Sequence, residues 1–155
     1  MQRGFSLIEV MIVSAVLAIL AVSAVPRIFA TMATQELQTF TANLAADIRC
    51  MQQMALNANG QNAPLYTLRF ARGSESSYYI IHDGYQAIKM VYLPKHVKVT
   101  GDPDYIMFSN KGAPRKGQKI EFYTSNAQLF SYVYIAGATG RVRVSANGNL
   151  AEKDY

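Results

Sequence analysis

The sequence predicts an α+β chain in which one long N-terminal helix packs its second half on a small antiparallel β-sheet domain. Three observations lead there. The block from Phe5 to Val25 is apolar apart from Glu9. From Leu37 to Ala55, apolar residues recur at three- and four-residue steps. The remainder, after Gly60, is a series of short runs rich in Tyr, Ile, Val and Phe separated by turn residues. The 155 residues suit a single domain, and with half of them hydrophobic and only 16 % charged the chain is neither disordered nor a charged coiled coil.

Residues 1–4 form a short polar leader carrying Arg3. The apolar block that follows, residues 5–25, would span roughly 30 Å as a helix, enough to cross a bilayer. An ordinary signal sequence would be removed at a small-residue site, and Val22-Ser23-Ala24 offers one. The very short leader, the early carboxylate and the helical pattern beyond the cut count against it. Arg3 favours a cytoplasmic N-terminus, and Arg27 at the far end opposes it. Glu9 is the anomaly, since an ionised carboxylate in a membrane segment costs on the order of 2.5–3.5 kcal/mol and demands a partner. A cation from another chain, above all a newly created terminal amine, would turn that penalty into a signal that fixes register in an assembly.

Past Pro26 the helix becomes amphipathic. Leu37, Phe40, Leu44, Ile48, Met51 and Ala55 line one face. Proline should bend the helix without ending it, and Asn57-Ala58-Asn59-Gly60 supplies the stop, with Gly60 suited to a left-handed cap. The whole element, from about Phe5 to about Ala58, is expected to be roughly 80 Å long. Segment 26–59 thus continues the helix into a β-rich region, 61–155. Strands are expected at Leu65–Phe70, Ser77–His82, Tyr85–Leu93, Val97–Thr100, Tyr105–Ser109, Lys119–Thr124, Leu129–Ile135 and Arg141–Ser145. His82-Asp83-Gly84-Tyr85 has the Asp-Gly pair of a tight hairpin. They are expected to form one small sheet whose apolar face lies on residues 37–56.

Chemistry-bearing motifs are few. The sequence contains no Gly-rich phosphate loop, nucleophile elbow or His-Glu-x-x-His, so no enzymatic activity is expected. With two histidines and the single Cys50, neither a zinc site nor an internal disulfide is expected. Asp102 and Asp104 are too few to hold calcium and read as turn residues around Pro103. No cofactor is expected. His82 and His96 read as strand-end or loop residues, and Cys50 as a small apolar contact.

The cations are more informative. Lys111, Arg115, Lys116, Lys119, Arg141 and Arg143 face one acid, Glu121, so this stretch carries the whole +5 excess of the chain. In Arg141-Val142-Arg143-Val144, strand alternation places both guanidinium groups on one face, with Cα atoms roughly 6.6 Å apart. Two arginines so spaced suit neighbouring phosphates, and Gly140 permits a turn or close backbone approach beside them.

Gly4-Phe5-Ser6-Leu7-Ile8-Glu9-Val10 resembles the processing motif of type IV pilins and type II secretion pseudopilins. The resemblance implies cleavage after Gly4 by a prepilin peptidase, methylation of the new Phe5 amine, and Glu9 as the fifth mature residue. It also implies a cytoplasmic N-terminus before cleavage, a kink near Pro26, and assembly with other subunits by inner-membrane machinery into a periplasmic or extracellular filament. The fold it implies is the pilin fold.

Phe108-Ser109-Asn110-Lys111-Gly112, Ile120-Glu121-Phe122 and Gly140-Arg141-Val142-Arg143-Val144 resemble the FimT/GspH branch of minor pilins and pseudopilins. In FimT-like proteins a C-terminal Gly-Arg-x-Arg element is implicated in DNA binding during uptake, and Gly140, Arg141 and Arg143 match it. The basic loop with Lys111, Arg115, Lys116 and Lys119 is a second candidate. GspH-like subunits also carry basic residues there without a DNA role, so a secretion pseudopilin with protein partners is the alternative.

Overall fold

A computed structural model describes residues 6–58, 65–73, 76–84, 86–101, 103, 105–125 and 129–146. Gly4, Phe5, Gly60, Tyr85, Asp102 and Asp104 lie outside them. The chain divides into two compact units, Met1–Ala33 and Thr34–Tyr155. Helix α1, Leu7–Asn57, contributes to both and runs through Pro26. Its described start is Ser6, whose carbonyl accepts from the amides of Glu9 and Val10.

In the second unit the strands fall within a residue or two of their expected places, with β5 the shortest: β1 Tyr66–Arg72, β2 Ser77–Asp83, β3 Gln86–Tyr92, β4 Val97–Val99, β5 Ile106–Met107, β6 Gln118–Thr124, β7 Phe130–Ile135 and β8 Val142–Ala146. They form two four-stranded sheets instead of the single one expected, ordered β3-β2-β1-β5 and β4-β6-β7-β8. All pairings are antiparallel.

Alternation along the strands decides what is buried. Tyr79 and Ile81 of β2, Ile120 and Phe122 of β6, and Val133 and Ile135 of β7 point inward, joining Leu37, Phe40, Leu44, Ile48, Met51 and Ala55 of α1 in one core. Phe40 lies edge-on to Tyr79 and Phe122, at centroid distances of 6.1 and 5.4 Å. Phe70 of β1 closes the group at 5.9 Å from Tyr79 and 6.0 Å from Phe122. Four rings thereby join the helix and both sheets, each contact contributing about 0.5–1.5 kcal/mol beyond the area it buries. Buried hydroxyls are satisfied: Thr41 Oγ1 donates to the Leu37 carbonyl at 2.9 Å, and Ser131 Oγ reaches Thr41 Oγ1 at 3.1 Å.

One polar cluster pins the first sheet to the helix. The Tyr79 hydroxyl donates to Asp47 Oδ2 at 2.6 Å, and Lys89 Nζ reaches Asp47 Oδ1 at 2.6 Å. Burial, and then the adjoining carboxylate, raise the Tyr79 pKa well above the ordinary tyrosine range. The folded state therefore holds this proton more tightly than the unfolded state does. The resulting stability is fully present below the unfolded pKa of about 10 and is lost as pH rises beyond it. Tyr79→Phe is expected to cost on the order of 1–2 kcal/mol at neutral pH and to flatten the alkaline loss of stability. Urea unfolding of the detergent-solubilised chain across neutral and alkaline pH checks both, and an undiminished alkaline slope in the variant would assign that loss to other groups.

Candidate functional site

In the first unit the described side chains of α1 find no core. Leu7 is 82 % exposed and Ile19 71 %, and every described side chain from Leu7 to Met32 is exposed. The segment is long and apolar enough to cross a membrane. Glu9 lies in the first helical turn, where the amide dipoles favour a carboxylate. Ser6 stands three residues before it, the spacing of a capping box. Local helix chemistry therefore adds a second reason for an acid at this position.

In the second unit Arg141 stands one residue before β8, and Arg143 lies within it. Both line an open groove of about 700 Å³ together with Arg49, Gln52 and Gln53 of α1 and Val142 and Val144. Arg49 was not legible in the basic stretch because it lies far away in sequence. Its Nη2 donates to the Val142 carbonyl at 3.0 Å, which holds the guanidinium against β8, an edge strand of its sheet. The groove thus gathers three guanidinium groups and two amides, and among the described residues no acid lines it. Spacing carried the missing signal: Arg49, Gln52 and Gln53 form a polar strip beside the buried Ile48, Met51 and Ala55.

Gly140 is buried with a φ of 67°. A Cβ there would meet Gln52 Nε2 and the Gly112 carbonyl, each at 2.5 Å. Gln52 Nε2 in turn donates to that same carbonyl at 2.7 Å. Glycine at 140 is therefore what lets the turn carrying Lys111 dock beside the turn carrying Arg141. The rest of the basic loop is directed elsewhere. Arg115 stacks over the Tyr105 ring at 5.5 Å, with Arg69 at 5.4 Å from the same ring. Lys119 Nζ sits 4.1 Å from the Tyr132 centroid, and Lys116 is exposed. Cys50 is a free, exposed thiol, so it is not the apolar contact expected. Its place on α1 is outside the buried stripe, one residue before Met51. His82 is half-buried in β2 and His96 is exposed in a turn. Among the described residues no group of three His, Cys, Asp or Glu side chains could hold a metal.

Residues 1–25 match the family described as the prokaryotic N-terminal methylation motif. A search of solved structures finds the minor pseudopilin EpsH from the type 2 secretion system of Vibrio cholerae. The two are 12 % identical with a TM-score of 0.55, over 73 % of this chain and 98 % of that one. The fold and the N-terminal motif are type IV pilin-like. Among curated proteins none matches this sequence. The matched motif covers the start of the half of α1 whose described side chains are exposed.

Gly140→Ala combines a left-handed φ with two contacts no Cβ makes, so a loss of roughly 1–3 kcal/mol is expected. Thermal unfolding monitored by circular dichroism measures it, and an unchanged midpoint would refute the docking of the two turns through this glycine.

Proposed function

We propose that this pilin-like chain is a minor pilin or pseudopilin whose β domain captures DNA for uptake. In this reading the prepilin peptidase cuts after Gly4 and the Phe5 amine is methylated. The chain is held in the inner membrane by one pass of α1, with its N-terminus cytoplasmic before cleavage, and then moves into a filament. The exposed apolar side chains of α1 pack against lipid and then against neighbouring helices, and Glu9 neutralises a terminal amine during docking. The protein acts by assembly and binding, without catalysis.

The observation that carries the DNA reading is the groove where Arg49 joins Arg141 and Arg143. Guanidinium groups bind phosphate bidentately and stay charged at any physiological pH. The turn bearing Lys111 extends the positive surface past Gly140. A second reading, a type II secretion pseudopilin with protein partners only, is favoured by the likeness to EpsH.

DNA binding by the full-length chain in non-ionic detergent distinguishes the two. Weak binding that falls steeply with salt is expected, because phosphate contacts release counterions. Arg141→Ala/Arg143→Ala should weaken it and reduce the log–log salt slope by about 2. No binding at low salt would leave the secretion reading. Glu9→Ala is expected to abolish incorporation into filaments, scored by immunoblot of sheared filaments against membranes. Normal incorporation would remove the proposed charge pairing.

A further inference from the structure

The outward face of the β4-β6-β7-β8 sheet is unlike an ordinary solvated surface. Register places Lys98, Tyr123 and Phe130 in one cross-strand row, and Lys119, Tyr134 and Arg143 in another. Between them runs a row of Glu121, Tyr132 and Ser145. These residues alternate with the buried Ile120, Phe122, Val133 and Ile135, so their side chains share the face away from the core. Among the described residues, four aromatic rings and three cations therefore occupy one face with a single acid.

The rings are arranged differently from those in the core. Tyr132 and Tyr134 lie 6.0 Å apart with planes inclined by 38°, and Tyr123 and Phe130 lie 6.3 Å apart at 34°. The core contacts are inclined by 51–72°. Lys119 Nζ hovers over both tyrosines of the first pair, at 4.1 and 5.7 Å from their centroids. An exposed, flexible side chain thus already occupies ring faces that a flat ligand can take. Along β7 the two tyrosines are separated by roughly 6.8 Å, about twice the rise between stacked nucleotides. That spacing suits bases splayed from an extended strand, with the lysines and Arg143 beside them for phosphates.

We infer that this face is a stacking platform for single-stranded DNA, with Tyr132 and Tyr134 as its centre and Lys98, Lys119 and Arg143 tracking the backbone. The inference rests on the DNA reading above and deepens it. Arg143 belongs both to the groove and to the platform, so one strand can run from one to the other. The groove engages phosphates of single or double strands alike, whereas aromatic faces reach bases only where these are unpaired. The platform therefore adds a preference for the single-stranded form.

The test uses the full-length chain in non-ionic detergent, titrated against a fluorescent single-stranded oligonucleotide and against its duplex. Single-stranded DNA is expected to bind more tightly. Tyr134→Ala should lower single-strand affinity roughly 5- to 100-fold and change duplex affinity by less than about twofold. Tyr134→Phe, which keeps the ring, should retain single-strand binding, and circular dichroism confirms the fold of each variant. Equal binding of both forms, indifferent to Tyr134→Ala yet lost in Arg49→Ala/Arg141→Ala, would overturn the platform and leave the DNA reading standing. Binding of neither form would overturn both.

Discussion

Helix α1 has to satisfy two environments with one continuous backbone, and most of the molecule follows from that. From Leu37 to Ala55 it presents an apolar stripe that the two sheets bury, with Leu44, Ala45 and Ile48 fully inaccessible. From Leu7 to Met32 the described apolar side chains point in every direction and all are exposed. Each large aliphatic side chain left in water forgoes about 1.5–3 kcal/mol. A run of this length cannot be tolerated as free surface, since monomeric proteins rarely expose apolar patches beyond a few hundred Å². An apolar surrounding, such as the lipid a helix of this length and composition can cross, is the environment such a segment requires. Glu9 marks its beginning.

Core packing also determines which chemistry faces outward. The Phe40, Phe70, Tyr79 and Phe122 rings join the helix to both sheets, and burial of one face of a strand specifies its register. A slip of one residue in β6 or β8 would turn Lys119 or Arg143 inward and expose Ile120 or Val142. The positions of the outward cations are thus fixed by the same burial that stabilises the domain. Gly140 and Gln52 perform the corresponding task for the loops, bringing two turns together that lie well apart in sequence.

The sequence made the local structure legible. Period-two and helical patterns located each of the described strands and the buried stripe, because both periodicities arise from geometry within a few residues. Division into two sheets was not legible, since it depends on pairings such as β4 with β6 and β1 with β5, which no local pattern encodes. The same holds for the groove. Arg141 and Arg143 were identified by their spacing, but Arg49 joins them through a hydrogen bond spanning 93 residues. Arg115 and Lys119, grouped with them by proximity in sequence, are drawn instead to Tyr105 and Tyr132 by cation–π contacts.

Those contacts sharpen the contrast with the groove. Lys89 is neutralised by Asp47, and Arg69, Arg115 and Lys119 each have an aromatic face. Arg49 instead meets a backbone carbonyl, which orients its guanidinium toward the groove. Three guanidinium groups converge on that groove, and like charges so placed repel one another, which runs against the consistency seen in the rest of the domain. Departures of that kind are expected where a protein engages a ligand. A polyanion entering the groove would offset that repulsion, and Arg49, which spans from α1 to the Val142 carbonyl, would then couple such binding to the stability of β8.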